Sequence, residues 1–254
     1  MVVYQSNYFE SSGYVKICEE EGYISNTEQE VNFVIGEMSR LFVPQPRKIL
    51  DVGCGDGRHS ILLAKKGFEV VGVDVSKKLI EKASNKTSTT YGVIKPQFLV
   101  KDMREISFHD EFDCVVFFFS VFGIFDRETN LEILRRVRKA LKRNGIIILD
   151  LWNLFAFISY INSKGMQVKR EVSSLKIKET YKFCPETLML DWQEVHLNEG
   201  VKESYWGKYQ FYVPSLLEED LRKNKLYLKE AFGSFDKKPY NAFDERIIVV
   251  AQKV

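Results

Sequence analysis

The feature that most constrains the fold is the ten-residue segment from Lys48 to Gly57, which reads Lys-Ile-Leu-Asp-Val-Gly-Cys-Gly-Asp-Gly. Its first half has the composition of a buried strand, and a helical pattern begins near Arg58. The three glycines let the backbone turn tightly and approach a ligand, and the first turn of the following helix offers free N–H groups. We therefore predict a strand, a glycine turn and a helix that together bind a nucleoside-like ligand.

Acidic residues follow the next two predicted strands. Asp74 ends the segment Val-Val-Gly-Val-Asp, and Asp102 precedes Met103 after the third strand. In open α/β sheets a carboxylate at the position of Asp74 accepts hydrogen bonds from ribose hydroxyls. The carboxylate of Asp102 and the thioether of Met103 could hold an adenine ring by its exocyclic amine and its face. Because the carboxyl ends of parallel strands meet at one edge, these residues and the glycine turn are expected to form one site.

The glycine spacing also bears on which nucleotide is bound. A dinucleotide fingerprint needs its third glycine at position 58, and that residue is Arg58. The spacing therefore disfavours an NAD-type oxidoreductase.

The hydrophobic pattern predicts an α/β fold with a doubly wound, mostly parallel seven-stranded sheet. Short apolar runs alternate with helical ones as far as Trp152, and residues 167–213 then contain several β-rich runs without a long helix between them. We expect one domain over residues 1–254, with an antiparallel β insertion after the fifth strand. Its parts are a helical N-terminal segment or lid at 1–46, the ligand-binding core at 47–152, the insertion at 153–213, and a C-terminal helix with the final strands at 214–254.

Composition narrows the class of partner. Lys plus Arg number 37 and Asp plus Glu number 35, and this balance does not favour nucleic acid. The longest apolar stretch, Cys114 to Phe125, is shorter than the roughly 20 residues of a membrane span. Four scattered Cys and three His predict no metal site and no disulfide framework. No secretory signal is visible at the N-terminus, so a cytoplasmic location is expected. The expected oligomeric state is a monomer or a homodimer.

The segments that follow the strands resemble those of the class I S-adenosylmethionine (SAM) dependent methyltransferases. The resemblance is carried by Asp51–Gly57, Val71–Asp74, Lys101–Met103 and the strand Phe112–Val116, and it extends to Leu141–Gly145, where Arg-Asn replaces the usual Pro-Gly. Four further segments, at 26–33, 102–104, 119–125 and 150–153, are similar to a small-molecule subgroup that includes sugar-amine and glycine-type N-methyltransferases. The resemblance implies SAM as cofactor and S-adenosylhomocysteine as product.

The resemblance also implies roles for individual residues. It places Asp51, Gly53, Gly55 and Gly57 around the methionine end of SAM. It places Asp74 on the ribose and Asp102 and Met103 on the adenine. Beneath the sulfonium it places Phe119 and Ser120. Residues expected to contact the acceptor are Tyr8 and Tyr23 of the lid, Trp152 and Asn153 at the end of the fifth strand, Trp192 and Tyr212 of the insertion, and Arg246, a cation for an anionic acceptor. No catalytic residue is assigned, and His59 is expected to pack structurally.

The reaction favoured is methyl transfer to a small-molecule acceptor, with nitrogen preferred to oxygen because no strong base is visible. The loop after the fourth strand lacks the Asn/Asp-Pro-Pro-aromatic sequence of DNA-base and glutamine methyltransferases, and no Pro-Cys pair is present. Both absences disfavour nucleic-acid substrates. The alternative is a SAM-binding protein without transfer activity that uses its β insertion for protein interaction.

Overall fold

The structure is a computed structural model that describes residues 7–20, 26–41, 47–88, 94–198 and 200–254. Its strands, in chain order, are β1 (Lys48–Val52), β2 (Glu69–Asp74), β3 (Gln97–Val100), β4 (Phe112–Phe117), β5 (Leu141–Trp152), β6 (Gln167–Val172), β7 (Leu175–Cys184), β8 (Met189–Asn198), β9 (Val201–Gln210), β10 (Leu226–Phe232) and β11 (Arg246–Lys253). Its helices are α1 (Asn7–Glu10), α2 (Ser12–Glu20), α3 (Thr27–Leu41), α4 (Arg58–Lys65), α5 (Lys77–Ser88), α6 (Arg127–Ala140), α7 (Leu154–Lys164) and α8 (Pro214–Lys223).

The larger sheet has seven strands in the order β10-β11-β5-β4-β1-β2-β3. Strands β1 to β5 pair in parallel, whereas β11 is antiparallel to β5 and β10 is antiparallel to β11. This confirms the predicted doubly wound, mostly parallel sheet. The strand order reverses beside β1, which is where open α/β sheets bind ligands.

Apolar residues cover both faces of this sheet, because its central strands are buried on both sides. On one face Leu50 and Val115 pack with Ile133 of α6. On the other face Ile49 and Val116 pack in a cluster with residues of α3 and α4. Successive residues of β1 and β4 point to opposite faces of the sheet, so apolar residues in these strands pack against helices on both faces.

The insertion forms a separate four-stranded antiparallel sheet in the order β6-β7-β8-β9, which confirms the predicted antiparallel excursion. The prediction was wrong in leaving out α7, which precedes these strands. The run Leu-Phe-Ala-Phe-Ile has the aromatic and β-branched character of a strand, but Asn153 begins a helix because its side chain accepts the Phe155 N–H at 3.1 Å. Gly165, at φ 83°, follows its last turn.

The two N-terminal helices contact both α5 and the insertion; their role as a lid stays a prediction. Glu10 accepts the backbone N–H of Lys77, at the start of α5, at 3.0 Å. On the other side Ile17 packs with Leu175 and Ile177 of the insertion. Among the described residues, none of the helices is long and apolar enough to cross a membrane.

Candidate functional site

The three glycines after β1 differ in what surrounds them. A Cβ at Gly57 would lie 2.6 Å from the Phe98 ring, and one at Gly53 would collide with Val121. A Cβ at Gly55, where φ is +55°, would meet no protein atom within 4 Å. Gly53 and Gly57 are therefore required by packing, whereas Gly55 faces open space that a ligand can approach.

Asp74 is fixed beside that open space. Its Oδ2 accepts the Gly55 N–H at 2.9 Å and its Oδ1 accepts the Ser76 N–H at 2.8 Å. Burial raises the pKa of this carboxyl, although the two backbone hydrogen bonds act to lower it. Each carboxylate oxygen can accept a second hydrogen bond, so the expected ribose contact is compatible with this geometry.

Asp51 lies beneath the glycine turn. It is buried and accepts the Ser60 hydroxyl at 2.6 Å. Burial raises the pKa of Asp51, and His59, Ser60 and Arg58 act in the opposite direction. The expected contact of Asp51 with the methionine end of SAM stays a prediction.

Asp102, the expected adenine ligand, caps a short 3₁₀ turn at Met103–Glu105. Burial acts to raise its pKa, but hydrogen bonds from Arg104 lower it, and the Arg104 guanidinium lies 2.6 Å from its Oδ2. Met103 packs against the core. An adenine amine would therefore share Asp102 with Arg104.

The turn after β4 has an unusual backbone. Phe119 and Ser120 have φ angles of 55° and 58°, a region that bulky L-residues rarely adopt. Two hydrogen bonds to Asp150 hold them: the Asp150 side chain accepts the Phe119 N–H at 2.8 Å, and the Asp150 backbone carbonyl accepts the Ser120 N–H at 2.9 Å. No role was predicted for Asp150 from the sequence. An acidic residue directly after the apolar run that starts at Ile146 could have indicated a buried, paired carboxylate.

Two arginines lie against the Phe119 ring. The guanidinium carbons of Arg58 and Arg246 are 4.4 and 4.7 Å from its centroid. Arg246 pairs with buried Asp150 at 2.6 and 2.7 Å, and Arg58 lies 3.5 Å from the Glu30 carboxylate. Arg246 was expected to be a cation for an anionic acceptor, but the structure compensates its charge with Asp150.

His59 packs against the sheet, as expected. Its ring stacks on Phe118 with a centroid distance of 3.8 Å, and its Nε2 lies 2.5 Å from buried Glu30. The imidazole is thus fixed by stacking and by the carboxylate.

The residues expected to line the acceptor pocket separate into two groups. Trp152 is 45% exposed, and its ring lies 5.3 Å from that of Tyr209. Asn153, by contrast, is buried and donates to the backbone oxygens of Asn241 and Asp244. It anchors a loop and caps α7, which leaves no side-chain group directed at a ligand.

Tyr212 lies in the core, not at the rim. Its ring is 2% exposed and stacks on Phe122 at 5.5 Å. Tyr23 falls outside the described residues.

Tyr8 and Trp192 are brought together. Their ring centroids are 5.1 Å apart, and the Tyr8 hydroxyl donates to Glu194 on β8 at 3.2 Å. Gly207, opposite Trp192 on β9, makes room for the indole because a Cβ there would lie 2.5 Å from it. Helix α1 and the insertion therefore meet at these two aromatic side chains.

The turn after β4 also joins the glycine turn to the insertion. Val121 packs on Gly53, and the Gly123 carbonyl accepts the Gln210 N–H at 2.7 Å. The end of β9 is thereby held against the same edge of the sheet as Asp74.

Comparison with known proteins assigns this arrangement to a family. Residues 49–145 match the family model described as a methyltransferase domain. Residues 49–145 form a methyltransferase domain of the class I, SAM-dependent kind. The match covers β1 through the start of β5, which is the part of the sheet that carries the glycine turn and Asp74.

Among curated relatives, the chain is 36% identical over 115 residues to the putative methyltransferase YqeM of Bacillus subtilis, covering 44% of this chain and 45% of that protein. It is 28% identical over 141 residues to a glycine/sarcosine N-methyltransferase of Aphanothece halophytica, covering 54% and 48%. It is 30% identical over 203 residues to a ubiquinone biosynthesis O-methyltransferase of Pelagibacter ubique, covering 73% and 64%. The matched segment spans less than half of the first of these methyltransferases.

Solved structures share the fold over most of the chain. A SAM-dependent methyltransferase from Clostridium acetobutylicum superposes with a TM-score of 0.73 at 17% identity, covering 89% of this chain and 91% of that one. The sugar N-methyltransferase KedS8 from a Streptoalloteichus species gives 0.65 at 15% identity, covering 92% and 90%. At these identities the similarity establishes the methyltransferase fold.

Proposed function

We propose that this methyltransferase transfers a methyl group from SAM to a small-molecule acceptor, with an amine nitrogen favoured. The observation that carries the proposal is the position of Asp74. Its carboxylate is held by Gly55 and Ser76 at the carboxyl end of β2, beside the open space at Gly55. A carboxylate fixed at this place suits the two hydroxyls of a ribose.

The residues present fit SAM. Bound SAM supplies an electrophilic methyl group on a cationic sulfonium. Asp74 would hold the ribose, Asp102 and Met103 the adenine, and the glycine turn the methionine end. The strained turn at Phe119 and Ser120 lines the side of the cleft where the methyl group is expected. These residues align the reactants, which is the principal contribution a protein makes to such a displacement.

Contacts around the cleft favour a small acceptor. The insertion reaches the turn after β4 through Gln210 and Gly123, and α1 reaches the start of α5 through Glu10. Tyr8 and Trp192 meet between them. A cleft covered from both sides admits a metabolite more readily than a polymer.

A nitrogen acceptor is favoured because a hydroxyl acceptor needs a base. His59 is stacked on Phe118 and held by Glu30, and burial raises the pKa of Tyr209. A neutral amine needs only a weak proton acceptor after transfer. The glycine/sarcosine and sugar N-methyltransferases among the similar proteins support nitrogen, whereas the ubiquinone O-methyltransferase makes oxygen the competing outcome.

The proposal is tested by two measurements on the purified chain. Calorimetry should show binding of S-adenosylhomocysteine and none of NAD. SAM with a labelled methyl group should then label a component of fractionated host metabolites. Cofactor binding without labelling of any fraction would instead support a SAM-binding protein that does not transfer.

A further inference from the structure

Three aromatic side chains are exposed where β5 ends. Trp152 is the last residue of β5, Phe155 lies in the first turn of α7, and Phe243 lies in the loop before β11. They are 45%, 47% and 95% exposed. Single exposed apolar residues are normal, but several at one place mark a surface that binds something. Residues 152–155 and 241–245 are called the β5 corner below.

The β5 corner is held together by the side chain of Asn153, which is buried. Its Nδ2 donates to the carbonyls of Asn241 at 3.2 Å and Asp244 at 2.7 Å. Its Oδ1 accepts the Phe155 N–H at 3.1 Å and the Tyr240 hydroxyl at 3.2 Å. These hydrogen bonds join the loop before β11 to the start of α7, so the three aromatic residues are carried on one hydrogen-bonded scaffold.

The buried polar side chains of the corner are already engaged within it. The hydrogen bonds of Asn153 use both of its N–H groups and both acceptor positions of its oxygen. In Asp244, Oδ2 accepts the Asn241 N–H at 2.8 Å and Oδ1 accepts the Lys238 ammonium at 2.6 Å. The exposed aromatic rings therefore offer a ligand apolar surface, with few partners for the hydroxyls of a sugar.

The corner continues into the site described above. Trp152 follows Asp150 by two residues on the same face of β5, a distance of about 7 Å along the strand. It lies opposite Arg246, whose guanidinium carbon is 4.7 Å from the centroid of the Phe119 ring. The Trp152 ring is also 5.3 Å from that of Tyr209. The aromatic surface thus begins beside the turn where the methyl group is expected.

We propose that the β5 corner binds an apolar group of the methyl acceptor, so that the acceptor is an amphiphilic amine. Its nitrogen lies at the Phe119 turn, and its hydrocarbon or aromatic part lies on Trp152, Phe155 and Phe243. The inference rests on the proposed function and names the substrate class of that same site.

The physical basis is burial of apolar surface on rigid rings. A CH₂ group that moves fully from water to an apolar surface tightens binding by about fourfold. Aromatic side chains supply large contact area at a low cost in conformational entropy, because they have only two rotatable bonds. A polar amine of the same length gains neither term.

The first test measures binding with the cofactor product in place. The wild-type protein is saturated with S-adenosylhomocysteine, and calorimetry measures its affinity for butylamine, hexylamine, octylamine and glucosamine. Each added CH₂ group should tighten binding by about two- to fourfold, and glucosamine should bind less tightly than hexylamine. Affinities that do not increase with chain length would overturn the inference.

The second test removes an aromatic side chain of the corner. Phe243→Ala should weaken octylamine binding by about five- to tenfold and leave butylamine within about twofold, because only the longer chain reaches the loop. Phe243 is almost fully exposed, so the variant should unfold at the same urea concentration as the wild type. Phe155→Ala should act in the same direction.

Tyr227→Ala is the matched control. Tyr227 is 44% exposed, but it lies opposite Gln252, which itself pairs with Ile146 at the other end of β5 from Trp152. Its affinities for the amines should equal those of the wild type. Equal losses of octylamine affinity in Tyr227→Ala and Phe243→Ala would overturn the inference.

Turnover separates this inference from the proposed function. SAM with a labelled methyl group is supplied with each amine in turn. A kcat/KM that rises from butylamine to octylamine, and rises less in Phe243→Ala, supports both. Transfer as fast to glucosamine as to octylamine would overturn the apolar class and leave the proposed function standing. Binding that depends on chain length, without transfer to any amine, would overturn the proposed function and leave the corner assigned to an apolar ligand.

A lipid surface and a second copy of the chain are the competing occupants of the corner. Vesicles of phosphatidylcholine and phosphatidylglycerol test the first, and sedimentation equilibrium tests the second. Vesicle binding or a dimer that Phe243→Ala abolishes, with amine affinities unchanged, would assign the corner to that occupant and overturn the inference.

Discussion

Asp150 holds Phe119 in a left-handed backbone conformation. Its Oδ2 accepts the Phe119 N–H at 2.8 Å, while the same carboxylate pairs with Arg246 at 2.6 and 2.7 Å. A strained backbone persists where surrounding contacts hold it, and such positions cluster at functional sites. Asp150 thus connects the turn beneath the expected sulfonium to a cation brought from β11.

Asp150→Asn should destabilise the protein strongly. The change keeps the shape of the side chain but leaves the Arg246 guanidinium, which is mostly buried, without its counter-charge. Removing one partner of a buried pair costs about 3–5 kcal/mol, measured as the free energy of unfolding in urea. Asp191→Asn is the control, since Asp191 forms an exposed pair with Lys208 and should cost less than about 1 kcal/mol. Equal losses in the two variants would contradict the clamping role of Asp150.

Gly55→Ala and Gly57→Ala should differ in what they damage. Both positions have positive φ, so both variants carry a similar backbone penalty of about 1–2 kcal/mol. Only the new Cβ at Gly57 collides with protein atoms, whereas that at Gly55 enters the open space. We expect Gly57→Ala to unfold at lower urea concentration than Gly55→Ala. Gly55→Ala should lose more affinity for S-adenosylhomocysteine than Gly57→Ala, because its new methyl group occupies the space that the ligand would fill. Calorimetry on the folded variants measures both affinities.

Binding of S-adenosylhomocysteine should weaken as the pH falls, beginning above the ordinary aspartate pKa of about 3.9. Burial raises the pKa of Asp74, so its stabilising contribution to the unliganded fold is present at low pH and is lost as the pH rises through that raised pKa. The affinity for S-adenosylhomocysteine depends on pH in the opposite direction and rises with pH. Binding needs the ionised carboxylate, and at low pH a proton competes with the ribose for it. Calorimetry in buffers of different ionisation enthalpy should detect proton release at the lower pH values.

Asp74→Asn should remove the part of this pH dependence that belongs to Asp74 and lower the affinity at neutral pH. The expected loss is about 1.5–3 kcal/mol, the range for hydrogen bonds to a charged group. Unchanged affinity in a folded variant would show that Asp74 only shapes the turn between Gly55 and Ser76.

Trp192→Ala should damage acceptor turnover and leave SAM affinity within about threefold, a difference below 1 kcal/mol. The reason is that Trp192 packs against Tyr8, where the insertion contacts α1 on the proposed acceptor side of the site. Trp206→Ala is the matched control, because Trp206 is 48% exposed on the other side of β9. Steady-state kinetics with each substrate varied in turn provides the measurement. Loss of SAM affinity with unaltered turnover would place Trp192 in the cofactor site instead.

The parts of the fold that depend on local pattern could be predicted from the sequence. The sequence pattern predicts strands at 48–52 and 97–100 and a helix at 214–223, and the structure has β1, β3 and α8 with these bounds. Short apolar runs, turn residues and a proline at the helix start are local signals. The seven-stranded sheet followed from their alternation. Helix α7 was missed because its residues favour a strand, and its start depends on the Asn153 cap.

The side-chain partners at the site could not be predicted because they depend on long-range register. Arg246 meets Asp150 because β11 runs antiparallel to β5, with residue 246 opposite residue 152. Tyr212 was expected at the pocket wall, but the chain turns into the core between β9 and α8. Neither the spacing nor the composition of the sequence specifies these pairings.

The measurement that tests the account most directly follows the methyl group. The wild-type protein is incubated with SAM carrying a labelled methyl group and with host metabolites separated by size and charge. We expect label to enter a small amine-containing fraction in step with formation of S-adenosylhomocysteine, and Asp74→Ala to reduce both together. Label that enters only protein or nucleic acid, or S-adenosylhomocysteine that binds without any labelled product, would contradict this expectation.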